Sequence, residues 1–115
     1  MKKPAVEIAS LPRTCNEALV LTMLAGEKQH GYQMALEIEE RSGGYFRFNH
    51  GTLYPVLHKL EKGGLIRGTW KQERPKRKRK YYVITAKGRR HLATLESQFR
   101  TFIENFTKVM GMTTL

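Results

Sequence analysis

Between Asn49 and Ile66 the chain reads NHGTLYPVLHKLEKGGLI, and this stretch restricts the available folds more than any other. At 100° per residue, Leu53, Val56, Leu57 and Leu60 share one apolar arc, the pattern of a helix that packs on one side. Gly63-Gly64 stops it. The opposite side carries Gly51, Pro55, His58 and Lys62, with Thr52 and Tyr54 on its shoulders. A helix facing only water would show Glu and Lys there. This one offers a missing side chain, a flat ring and two groups able to carry positive charge. Glycine allows another surface to approach the backbone closely. Two starts are open. With Thr52 as N-cap, Pro55 is the third helical residue and its missing N–H is harmless; with Asn49 as N-cap, Pro55 removes a hydrogen bond and a kink is expected. In both cases the amino-terminal end is unobstructed and carries the positive end of the helix dipole, which suits phosphate. Taken without its neighbours, the same pattern would also fit a surface helix whose Gly and Pro merely shape its start.

The neighbours narrow the reading. LIRGTWKQ (65–72) and YYVIT (81–85) are β-prone runs on either side of the polar ERPKRKRK (73–80), which predicts a β-hairpin with an eight-residue tip. Upstream, Thr14 is placed to cap a helix through NEALVLTMLA that stops at Gly26. Its apolar residues Ala18, Leu19, Leu21, Met23 and Leu24 nearly encircle it, so a deeply buried helix is expected. Residues 1–13, broken by Pro4 and Pro12, read as partly extended or a short helix. A second helix is predicted from Gly31 to Ser42, with Tyr32 and Leu36, and Met34 and Ile38, as i, i+4 pairs; Glu37, Glu39 and Glu40 face solvent. YFRF (45–48) is a connector. Residues 86–110 form a long helix after Thr85, a good N-cap, and end at Gly111. The order of three helices, a hairpin and a long helix is that of a mainly α fold with a small β-hairpin. It divides into a winged helix-turn-helix over residues 1–85 and a C-terminal helix over 86–115.

Charge points to the partner. Against 10 acidic residues stand 21 Lys+Arg, giving +11 and a pI near 10.1, so an anionic partner is expected. No run of 18 apolar residues and no signal-like core is present, which favours a cytoplasmic protein and nucleic acid over a membrane. Seven cations (Lys71, Arg74, Lys76, Arg77, Lys78, Arg79, Lys80) and one anion, Glu73, lie in ten residues. On a hairpin they would reach adjacent phosphates or a minor groove, whereas the bland alternative is a solvated loop or localisation cluster. Of Tyr81 and Tyr82, one is expected to pack on the helices and the other to lie near the ligand; Trp70 reads as a core or hairpin-pairing residue. Enzymatic chemistry has little to draw on. Cys15 is alone, the chain has no Asp, and His30, His50, His58 and His91 include no i, i+4 pair, so neither catalysis, a metal nor a cofactor is expected.

The last helix carries a second pattern. Leu92, Leu95, Phe99, Phe102, Phe106 and Val109 are spaced 3, 4, 3, 4, 3, a heptad seam with Ile103 beside it. At about 1.5 Å per residue the helix would reach roughly 37 Å, more than so small a domain can cover. These seven residues are therefore the expected homodimer interface. Two heads about a two-fold axis would read half-sites about 34–36 Å apart.

GTLYP (51–55), LHKLEKGGLI (57–66), KYYVIT with Gly88, and HGYQMA (30–35) together resemble the PadR family of bacterial winged-helix transcriptional regulators. The resemblance spans roughly residues 14–90 and rests on four motifs in order. It implies a dimeric repressor on an inverted-repeat operator, often in its own promoter. It further implies that the third helix enters the major groove, that the wing reaches the neighbouring minor groove, and that Tyr54 touches the DNA backbone. Two features depart from the family's pattern: the wing is unusually rich in cations, and the last helix lacks a tryptophan that some drug-binding members use. No residue here identifies a small-molecule effector. Together these readings give base contacts to Asn49, His50, Thr52 and His58, close approach at Gly51 and Pro55, and phosphates to Tyr54, Lys59 and Lys62. Arg74, Lys76, Arg77, Lys78, Arg79 and Lys80 act at the wing. The competing functions are a sequence-neutral architectural nucleic-acid binder and a protein-interaction adaptor that binds no DNA.

Overall fold

The computed structural model describes residues 11–112, so of the segment expected at residues 1–13 the first ten residues lie outside them, and 11–13 are helical. Helix α1 (Leu11–Gly26) starts before the expected cap: Thr14 lies inside it, and Pro12 occupies the first turn, where a missing N–H has no helical partner to lose. It buries Val20, Leu21, Met23 and Leu24, while Leu19 is only half-buried and Thr22 is exposed. A two-residue strand that the sequence reading missed, β1 (Gln29–His30), leads directly into α2 (Gly31–Arg41). Met34 and Ile38 of α2 enter the core; Tyr32 and Leu36 stay exposed. Glu37 is not simply solvated: it accepts from the buried Gln29 Nε2 at 2.6 Å and pairs with Arg41 at 2.7 Å.

Asn49 caps α3 (His50–Lys62), its Oδ1 accepting from Thr52 N–H at 2.9 Å. Pro55 therefore sits in the helix interior, a placement that costs about 3 kcal/mol. The helix remains continuous, because Leu53, Leu57 and Leu60 are buried together and such burial contributes roughly 1.5–3 kcal/mol for each. At its end Gly64 adopts φ +75°, and Leu65 N–H reaches back to Leu60 O at 2.9 Å, closing the helix as a left-handed cap does.

The hairpin is longer than expected. Strands β2 (Ile66–Arg74) and β3 (Arg77–Ile84) pair from Ile66↔Ile84 to Arg74↔Arg77, with an irregularity between Gln72 and Arg74. Only Pro75 and Lys76 form the turn, so the expected eight-residue tip is corrected: Arg77, Lys78, Arg79 and Lys80 belong to a strand. β1 adds to the other side of β3, pairing Gln29 with Tyr82 and His30 with Tyr81, to give the antiparallel order β1-β3-β2.

Thr85 caps α4 (Ala86–Met110), accepting from Gly88 N–H at 3.0 Å, and Gly111 ends it at φ +71°. A side chain at Gly88 would be impossible without movement: a Cβ there would lie 2.0 Å from Leu65 O. The start of α4 thus rests directly on the backbone that joins α3 to β2. Leu92 and Leu95 complete one core with Val20, Leu21, Leu57, Leu60 and Ile66, and Phe99 packs at its edge. The far half of α4 projects from this core, and the molecule extends 57 × 31 × 24 Å.

Candidate nucleic-acid interface

Along β3 the side chains alternate, and so do their roles. Lys78, Lys80 and Tyr82 share the face that meets the helices, where Tyr82 is buried. Lys80 Nζ donates to Glu61 Oε1 at 2.8 Å, and Gly68 N–H donates to Glu61 Oε2 at 3.1 Å. One carboxylate on α3 therefore holds both strands of the hairpin. The Lys80 hydrogen bond keeps the Glu61 carboxyl below its ordinary pKa, and raises that of Lys80 in turn.

Arg77, Arg79 and Tyr81 occupy the other face. Tyr81 hydroxyl donates to Glu73, which lies 3.6 Å from Arg79 Nε; this bond lowers the Glu73 pKa and raises that of Tyr81. Arg79 Nη1 also sits 2.9 Å from His30 Nε2, while His30 Nδ1 accepts from Gln33 N–H at 3.2 Å as the N-cap of α2. Both neighbours are donors. A neutral ring, with one proton of its own, accepts from one of them at a time; an imidazolium would accept from neither. Burial, then the Arg79 charge, depresses the His30 pKa.

Between the hairpin, the start of α2 and the outward side of α3 lies a cleft of about 820 Å³. His50, Tyr54, His58 and Glu61 form one wall, His30, Gly31 and Tyr32 the end, and Trp70, Arg77, Lys78, Arg79 and Lys80 the other wall. His50 stacks on Tyr54, with ring centroids 5.3 Å apart and planes 5° from parallel. Tyr54 is 43% exposed and leans toward Gly31, where a Cβ would meet its hydroxyl at 3.2 Å. Gly51, Thr52, Pro55, His58 and Lys62 are all exposed. Asn49 is exposed too, although its side chain is engaged in the helix cap.

The expected DNA-binding residues are not equivalent. Lys59 turns toward α1, where its Nζ lies 3.0 Å from Glu17 Oε2. Lys80 and Arg79 are held by Glu61, and by Glu73 and His30. Among the described residues, Lys62, Arg74, Lys76, Arg77 and Lys78 have no carboxylate partner. Six residues that line the cleft, His30, Gly31, Tyr32, Glu61, Trp70 and Tyr82, lie outside the expected DNA-binding set. His30 was recognisable only as the residue before a helix start; Glu61 gave no signal apart from its chain neighbours. Trp70, expected in the core or in hairpin pairing, is 64% exposed; it does oppose Lys80 across the strands, but it packs in no core.

The stripe on α4 divides in the same way. Leu92 and Leu95 are 7% and 4% exposed, buried within the chain's own core, which corrects their assignment to a surface seam. Phe102 stacks on Phe106 at 5.5 Å, and Ile103, Phe106 and Val109 remain exposed.

The described helices include none long and apolar enough to cross a membrane. Residues 20–94 match the Transcriptional regulator PadR-like family. In fold the chain is similar to a transcriptional regulator from Clostridium thermocellum, with a TM-score of 0.79 at 22% identity over 90% of this chain and 97% of that one. It is also similar to a PadR family transcriptional regulator from Eggerthella lenta, with a TM-score of 0.76 at 28% identity over 90% and 88%. A third similar structure is Bacillus subtilis PadR in complex with operator DNA, with a TM-score of 0.63 at 26% identity over 68% of this chain and 45% of that one. A winged fold with an exposed third helix, a basic hairpin beside it and a family match across most of the chain agree: this protein belongs to the PadR-like family of transcriptional regulators.

Proposed function

We propose that this regulator is a repressor that binds an inverted-repeat operator as a homodimer. In this reading α3 enters the major groove and the hairpin crosses the neighbouring strand into the minor groove. The observation that carries it is the exposure of Thr52, Tyr54, His58 and Lys62 beside a wing whose Arg74, Lys76, Arg77 and Lys78 have no carboxylate partner among the described residues. Arg79 and Lys80, already paired, orient the wing and add charge to the cleft. The complex of the Bacillus subtilis protein with operator DNA supports a duplex as the ligand class.

Homodimerisation is supported by the apolar far half of α4, where Phe106 and Val109 lie uncovered, continuing the heptad spacing of the half-buried Phe102, with the exposed Ile103 beside them. The division of labour is then a DNA-binding part, residues 1–85, and a dimerising part, residues 86–115, whose helix α4 also completes the core of the first with its opening turns. Two linked heads gain affinity through effective concentration.

Selecting genomic fragments with the purified protein and measuring their affinity against random duplex at matched salt tests the reading. A ratio above about 10³ is expected for an operator. Equal affinities would instead identify a sequence-neutral architectural binder, and no salt-dependent duplex binding would identify an adaptor. Tyr54→Ala should weaken operator binding while leaving the fold intact, since its ring lies outside the buried core.

A further inference from the structure

Trp70 is the chain's only tryptophan, and it lies exposed on the wing rather than in the core. Its position in the ladder puts it on the same face as Lys80 and Tyr82, the face that meets α3. Lys80 Nζ, anchored by Glu61, lies 5.9 Å from the indole ring, so the cation and the aromatic plane form one surface. Lys78 stands two residues along the same face without a carboxylate partner among the described residues. Apart from this cross-strand contact with Lys80, the large apolar ring is left mostly in water among cations, outside the buried core. It is well formed for a ligand with an apolar ribbon edged by negative charge, and a sugar–phosphate strand has that chemistry. Exposed apolar side chains entering a minor groove are one way in which proteins grip duplexes.

We infer that Trp70 is a DNA-contacting residue, its indole seated against the deoxyriboses of the strand that runs through the cleft between α3 and the wing, with Lys78 on a flanking phosphate and Lys80, held by Glu61, backing the ring. The inference rests on the duplex-binding reading above and adds a contact that charge alone would not supply. Because the contact is to sugar, it is sequence-independent and does not require an unpaired base.

The full chain carries its own reporter. Tryptophan emission and its quenching by acrylamide are recorded while a mixed-sequence duplex, end-labelled for anisotropy, is titrated at low salt; the same strand without its complement is a second arm. Acrylamide quenching should fall in step with the duplex anisotropy signal. Trp70→Ala should weaken duplex binding about ten-fold, Trp70→Phe less, and neither should change the salt slope, because the indole is uncharged. Duplex binding with unaltered quenching would overturn the inference and leave the regulator reading standing. Protection by the single strand alone would also overturn it, pointing to base stacking instead. No anisotropy rise with the duplex would remove the duplex-binding reading, and this inference with it.

Discussion

Lys59 and Lys62 lie three residues apart on α3, and the structure assigns them different work. Lys59 is held 3.0 Å from a largely buried Glu17 carboxylate on α1, whereas Lys62 is exposed with no carboxylate partner among the described residues. A lysine already neutralised by a protein carboxylate displaces few counterions when DNA arrives. Each phosphate that a free cation neutralises contributes about 0.9 to the slope of log Kobs against log salt. With two copies in the proposed dimer, Lys62→Ala should lower the slope by about 1.8, that is, twice 0.9. Lys59→Ala should leave the slope near the wild-type value. Its effect should fall on folding instead, by no more than about 1 kcal/mol, because the pair is half open to solvent and screened. The assay is fluorescence anisotropy of a labelled operator duplex at several potassium chloride concentrations, with urea unfolding of each variant alongside. Equal slope losses for the two variants would refute the assignment, since they would mean that Lys59 leaves Glu17 to meet phosphate.

Other consequences can be measured separately. Gly88→Ala places a methyl group 2.0 Å from the Leu65 carbonyl oxygen, so it should destabilise the fold by about 3 kcal/mol, seen as a lower Tm in circular dichroism; an unchanged Tm would mean that α4 can lift from that junction at no cost. Phe106→Glu should convert the protein to monomers in sedimentation while leaving the unfolding of the head intact, because Phe106 is exposed and outside the core; persistent dimers would remove the seam. The depressed His30 pKa favours the deprotonated ring in the fold, so its contribution is complete above the ordinary value of 6.5 and is lost as pH falls through the lowered folded-state value. Urea unfolding should accordingly weaken on acidification from neutrality, and His30→Asn, which keeps a capping oxygen, should flatten that part of the profile. The same pH dependence in the variant would place its origin elsewhere.

Much of this architecture was legible in the chain. The span of α2, Thr85 and Gly111 at the ends of α4, and the buried leucines of α3 follow from periodicity and capping, which are local. What escaped was set by contacts across the chain. β1 has two residues and thus no period to read; it exists because β3 offers it an edge. RKRK looked like loop because it has low β-propensity, yet strand pairing with Lys71 and Gln72 overrides propensity. At Pro55 two caps were open in the sequence, and the structure shows Asn49 taking the Thr52 N–H. Within the interface, exposure of the α3 face was legible. The Lys59–Glu17 pair, separated by 42 residues, was not, and neither was the Glu61 grip on the hairpin.

Helix α4 runs without interruption from a core position at Leu92 to the open ring of Phe106. It has no joint between the part embedded in the head and the part left outside, so it behaves as an axle and not as a tether. Anything that grips the outer end sets the bearing of the whole head. One residue inserted midway would turn that end by about 100° and move it about 1.5 Å outward. In the proposed dimer, where two heads meet successive turns of a duplex, such a small edit along the axle would redirect both at once, with every residue of α3 and the wing unchanged.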